Sequence, residues 1–131
     1  RGPVIASHSN ARGACFHLRN LSDEMIRQLA ERGGVTGINF CPSFLREEEP
    51  AAKKASTMDM VRHMKYLRNV GGIDIIGLGT DFDGFSGETD VPDTAHMQHL
   101  ADVMSHDGFT DEEIEKVFSK NVLRVFRECW K

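Results

Sequence analysis

Residues 73–84, Ile73-Asp74-Ile75-Ile76-Gly77-Leu78-Gly79-Thr80-Asp81-Phe82-Asp83-Gly84, decide how the chain folds. Through Gly79 the run is apolar apart from one acid. That is the pattern of a strand covered on both faces in a parallel sheet, not the alternation of a half-exposed strand. It ends on a carboxylate, Asp81. Ahead of it, from about Ser56, Met60, Val61, Met64, Leu67 and Val70 keep helical spacing until Gly71-Gly72 stops them.

Moving outward toward the N-terminus, Val35-Thr36-Gly37-Ile38-Asn39-Phe40 reads as a second strand, and Val4-Ile5-Ala6-Ser7 as a short one ending at His8. Between them a helix starts at Ser22, the natural N-cap. Asp23 and Glu24 occupy its first turn, where the helix dipole favours acids, and Leu21 and Ile26 form a hydrophobic staple. Met25, Ile26, Leu29 and Ala30 make its apolar face, and Gly33-Gly34 ends it. The charged loop Glu47-Glu48-Glu49-Pro50 is expected in solvent. Downstream the chain reads as helical, over about residues 94–105, then from Phe109, with Thr110 and Glu113 as a capping box and Phe109 stapled to Ile114. A last helix is expected after Asn121, with Val122, Val125, Phe126 and Cys129 inward.

Strand, helix, strand, helix, strand is the alternation that builds parallel α/β sheets. An eight-unit barrel uses about 30 residues per unit in a domain of roughly 250. Three strands cannot close one, so the spacing suits a segment of a longer domain; the pattern alone equally permits a small doubly wound sheet. The chain opens directly into a strand without an initiator Met or a signal-peptide layout. Its 131 residues are too few for two ordinary domains.

With 16 basic and 20 acidic residues the chain lacks the net basic stripe that a nucleic-acid surface requires, and small polar or zwitterionic partners fit better. No run approaches the roughly 20 apolar residues of a membrane-spanning helix. Cys15, Cys41 and Cys129 are odd in number and widely spaced, which argues for reduced, mostly buried thiols rather than a disulfide framework or a cysteine-based zinc site.

The polar residues that stand out fall at the C-terminal ends of the expected strands: Ser7-His8-Ser9-Asn10, Asn39, and Asp81-Phe82-Asp83. In barrels and open α/β sheets alike that edge carries the active site. His8 offers an imidazole nitrogen to a divalent metal or, as a structural residue, a bond to a loop carbonyl. A catalytic zinc takes about three protein ligands, and the nearby candidates are Asp81, His17 and Asp83. The glycines of 77–84 do not make a nucleotide-binding turn, since the third glycine of that pattern falls at Phe82, and a calcium loop lacks its later ligands. Asp81 can exchange a proton or hold an ammonium group, whereas Asp83 suits a turn. Arg12 and Arg19, in the loop after His8, can each grip a carboxylate through two parallel hydrogen bonds or simply lie in solvent. His96 and His99 lack a third ligand, and His63 and His106 read as solvated helix positions.

Segments 3–12, 17–24, 33–40 and 77–84 closely resemble the renal, or membrane, dipeptidase family, and Asn121-Val122-Leu123-Arg124-Val125-Phe126 is similar to that family's final helix. The match runs in order over nearly the whole chain; it is weakest over 42–55 and after Gly84, where 85–93 departs from the family's usual Pro- and Gly-containing pattern. The resemblance implies that residues 1–131 are the C-terminal segment of a single TIM-type (β/α)8 barrel domain, about three strands with their helices. It further implies a zinc-dependent dipeptidase with two zinc ions. His8 would be a zinc ligand, Arg19 would hold the substrate carboxylate, and Asp81 would contact the substrate near the scissile amide and carry its proton. A His-x-Asp pair, a bridging glutamate and another histidine of such enzymes would precede Arg1, so activity would require that N-terminal remainder. A homodimer is implied as a further partner. The location implied is cytoplasmic in a bacterium and membrane-anchored, extracellular in an animal. The same residues would also serve a related metal-dependent amidohydrolase or a non-catalytic barrel-derived binding module.

Overall fold

Three short parallel strands, β1 (Ile5–Ala6), β2 (Val35–Ile38) and β4 (Ile76–Leu78), form one sheet in the order β1-β2-β4. Ile5 pairs with Val35, and Thr36, Gly37 and Ile38 pair with Ile76, Gly77 and Leu78. The computed structural model describes residues 2–48 and 50–130; Arg1, Glu49 and Lys131 lie outside the described residues. Between the strands run α1 (Asp23–Glu31), a single turn α2 (Pro42–Leu45) and α3 (Thr57–Gly71). After β4 come α4 (Met97–His106), α5 (Asp111–Glu115) and α6 (Asn121–Cys129). A second, two-stranded parallel sheet joins β3 (Lys54–Ala55) to β5 (Glu88–Thr89). It zips together the two loops that leave the same ends of β2 and β4.

Local chemistry explains the helices. Ser22 Oγ accepts from Met25 N at 3.3 Å, and α1 closes into Gly33, whose φ of 68° favours a residue without Cβ. Ile26 and Leu29 are buried as expected, but Met25 is 48% exposed, so the apolar face is narrower than the sequence implied. α3 buries Met60, Val61, Met64 and Leu67, and Gly72, at φ 89°, ends it. Glu113 N donates to Thr110 Oγ1 at 3.1 Å and Thr110 N to Glu113 Oε1 at 3.0 Å, the expected capping box. Phe109 is buried in the core that Ile114 packs against. Glu47, Glu48 and Pro50 are exposed, as expected for that loop, of which Glu49 is not described.

Two elements depart from the sequence pattern for identifiable reasons. Residues 73–75 form a 3₁₀ turn, and only Ile76–Leu78 are strand. The carbonyls of this segment are claimed from the side: Asn121 Nδ2 donates to Ile73 O and Ile76 O, both at 2.8 Å, and an Arg124 guanidinium nitrogen to Asp74 O at 2.9 Å. The last helix does not begin after Asn121. It continues from α5 through a π turn over Lys116–Lys120 into α6. The wider turn shifts the helix face, so that Asn121 and Val125 point inward while Phe126 and Cys129 are exposed. Cys15 and Cys41 are free and buried.

Candidate active site at the strand ends

β1, β2 and β4 are parallel, so the residues following each lie along one edge of the sheet. That edge is drawn tight by two glycines. A side chain at Gly37 would overlap Ser7 O and stand 2.7 Å from Gly79 N, and one at Gly79 would overlap Ser7 O and stand 3.0 Å from His8 Cα. The backbones of all three strands therefore meet where His8 leaves β1, which brings His8 beside the segment that carries Asp81. Beyond the regular strands, Gly79 N still donates to Ile38 O at 3.0 Å and Phe40 N to Thr80 O at 3.2 Å. The ladder thus reaches the residue before Asp81.

His8 is half-buried, with Nδ1 2.7 Å from Ser7 Oγ. With the proton on Nδ1, this contact fixes the ring and leaves the Nε2 lone pair for a ligand, the arrangement seen in metal-bound histidines held from behind. Asp81 has a φ of 62°, in the left-handed region that a non-glycine residue enters at a cost of about 1 kcal/mol or more. Asp83 shares this conformation at φ 67°. The turn between them closes with Gly84 N donating to Asp81 O at 2.9 Å. Phe82 packs edge-on to the buried Phe40, ring centroids 5.6 Å apart, and holds the turn against β2. Asp83 is exposed and is the turn aspartate the sequence suggested.

Arg19 stands exposed on the loop between β1 and α1, its guanidinium carbon 5.4 Å from the centre of the Phe44 ring in α2. It makes no ion pair among the described residues. Arg12 is committed elsewhere: it donates to Asn20 O and Leu18 O, each at 3.2 Å, and shapes the loop. His17 is also committed, its Nδ1 accepting from Arg19 N at 3.1 Å and its ring packed edge-on to Phe44. The structure thus brings the backbone at His8 against Gly79, two residues before Asp81, and sets Arg19 on the loop that follows His8.

Side chains to which the sequence assigned no role tie this edge together. Asn10 is fully buried; its Oδ1 accepts from Asn39 N at 2.7 Å and its Nδ2 donates to Asn39 O at 2.8 Å. Asn20, next to Arg19, donates to Cys15 O and Phe44 O, both at 2.9 Å. His63 is the plainest correction. It is not solvated but fully buried on the inner face of α3, where Nδ1 accepts from Ala11 N at 3.2 Å and Nε2 lies 3.1 Å from Leu45 O. Burial is the main cause that pushes its pKa down to about 4, so the ring is neutral and braces the two loops. Strand-end position and adjacency to Arg19 were the available signals for the asparagines. For His63, placement among Met60, Met64 and Leu67 was the signal.

Among the described residues no group of three or more His, Cys, Asp or Glu side chains could hold a metal ion. His96 and His99 each pair with an aspartate instead, Asp93 at 2.6 Å and Asp90 at 3.2 Å. His8 therefore fits a metal as one ligand, not as a complete site. No helix is long and apolar enough to cross a membrane among the described residues.

The chain is similar to known proteins in both sequence and fold. The chain is 35% identical over 128 residues to an uncharacterized protein in the pqqA 5′ region of Klebsiella pneumoniae, covering 98% of this chain and 47% of that one. It is also 35% identical over 127 residues to dipeptidase tcpJ of Claviceps purpurea, covering 96% of this chain and 29% of the relative. Its mixed α/β fold matches, with a TM-score of 0.91 and 29% identity over 98% of this chain and 37% of the other, the structure of a Rhodobacter sphaeroides metallopeptidase liganded with a phosphinate mimic of the dipeptide L-Ala-D-Ala. The chain spans less than half the length of these relatives. A family model described as membrane dipeptidase, peptidase family M19, matches residues 1–130, and the chain belongs to that family.

Proposed function

We propose that this chain supplies the carboxyl-side part of a zinc-dependent dipeptidase active site and that the whole protein hydrolyses dipeptides. Residues 1–131 are read as the C-terminal segment of one TIM-type barrel, whose missing strands would pair with the free edge of β1. The observation that supports the reading is the close approach of the three strand ends at Gly37 and Gly79, with His8 leaving one of them and Asp81 following another by two residues. In a chain of this family, a histidine with a free nitrogen and a carboxyl group held at one strand edge are the parts that metal-assisted amide hydrolysis requires.

His8 would hold zinc through Nε2, with the remaining ligands of a two-zinc centre coming from the N-terminal remainder. The metal, when bound, supplies Lewis acidity toward the peptide carbonyl and makes water a better nucleophile near neutral pH. Arg19, projecting over Phe44, pairs with the dipeptide's terminal carboxylate and sets its register. Asp81 would take a proton from the attacking water and hand it to the leaving amine, so that the amine departs neutral. The deciding experiment is a dipeptide hydrolysis assay on the whole protein before and after chelation, with zinc analysis. Activity lost on chelation and restored by zinc is expected; undiminished activity in metal-free protein overturns the reading.

A further inference from the structure

We propose that Asn39 is a positioning residue for Asp81, fixing which oxygen of that carboxyl group exchanges the proton; the inference rests on the hydrolytic role proposed for Asp81. Asn39 follows β2 directly, is fully buried, and is fixed at every polar atom. Its backbone N–H and carbonyl are both engaged by the Asn10 side chain, at 2.7 and 2.8 Å. Its side-chain oxygen accepts from Cys41 N at 2.8 Å, which assigns the amide orientation. The amide nitrogen is thereby aimed across to β4, where it donates to Asp81 Oδ2 at 3.4 Å.

A buried primary amide held on three sides cannot turn away, so Asp81 Oδ2 keeps a donor in front of it whatever its protonation state. A proton on Asp81 is therefore directed to Oδ1. That oxygen lies against Gly84, where a Cβ would overlap it, so the glycine keeps this side of the carboxyl group clear. Asn10 extends the same frame toward Arg19: its Nδ2 lies 3.5 Å from Phe44 O, and the Phe44 ring supports the Arg19 guanidinium. Residues that hold the substrate and residues that move its proton are thus registered through one buried side chain.

The test uses the whole zinc-loaded protein and compares Asn39→Asp, Asp81→Asn and the double variant. Asn39→Asp keeps the acceptor for Cys41 N but presents an oxygen to Asp81 Oδ2. The expected result is a fall in kcat of tenfold or more with KM within about twofold, and a shift of the pH dependence of kcat. In the Asp81→Asn background, the same change should alter kcat less than twofold, because the group it acts through is gone. Asn39→Ala, checked for folding by its melting transition, should likewise lower kcat in the Asp81 protein and leave the Asp81→Asn protein unaffected. Equal losses in both backgrounds, or an unchanged kcat, overturn the positioning role. If Asp81→Asn alone retains full activity, the reading of Asp81 itself fails, an outcome the cycle separates from failure of the Asn39 inference.

Discussion

The imidazole of His63 carries a consequence beyond packing. Its folded pKa, about 4, lies below the ordinary 6.5 because burial disfavours the charged ring. The unfolded chain therefore binds a proton that the folded chain refuses. Stability from this residue is complete above pH 6.5 and is lost as pH falls toward 4, on the order of 3 kcal/mol in all. Urea unfolding of the whole protein at pH 7, 5.5 and 4 should show this slope, and His63→Phe should flatten it; an equal slope in both proteins would refute the assignment. Arg19 is open to a cleaner kinetic test. Arg19→Lys keeps the charge but not the planar fork, so KM for a dipeptide should rise roughly tenfold with little change in kcat. Amidation of the substrate carboxylate should erase the difference between the two proteins. For His8, replacement by Ala removes a ligand, and zinc content and activity of the whole protein should fall together.

At the scale of elements, the seam between α6 and the entry to β4 decides how the sheet edge is built. The Asn121 side chain donates to two carbonyls there, Ile73 O and Ile76 O. Asn121→Leu removes both bonds, leaving Ile73 O with only Ile76 N as its donor, and should destabilise the protein by about 1–3 kcal/mol, read as a lower denaturation midpoint. Gly79→Ala tests the closure of the strand ends. The added methyl meets Ser7 O, and the shift it forces falls on His8. The expected outcome is lower zinc affinity along with lower stability; a variant stable and zinc-replete as wild type would show that the strands have slack.

Across the whole molecule the feature that stands out is the outer side of β1. Val4 is 44% and Ile5 40% exposed, on a strand whose other side is hydrogen-bonded to β2. An apolar edge strand of this kind is a pairing surface. In the barrel proposed above it is covered by the preceding strand. Residues 1–131 expressed alone should bind a hydrophobic dye and associate at micromolar concentration, and adding the remainder of the protein should abolish both. Dye binding that persists in the whole protein would argue against the barrel segment.

Much of this architecture was legible in the residues themselves. Glycine pairs, capping serines and apolar runs placed α1, α3 and all three principal strands, because these signals act between near neighbours. The order of polar residues at strand ends marked His8 and Asp81, because in parallel α/β units the chain direction alone puts such residues on one edge, whereas Arg19 was singled out from Arg12 only by the family resemblance. What the sequence could not specify was any bond between residues far apart along the chain. Asn39 reaching Asp81, His63 buried between two loops, Asn121 shortening β4 and the π turn that rotates α6 all depend on which groups meet after the elements pack. Local propensity determined the elements and the edge along which the proposed site residues lie. The need to satisfy buried polar groups, which arises only in the packed state, decided how that edge is held.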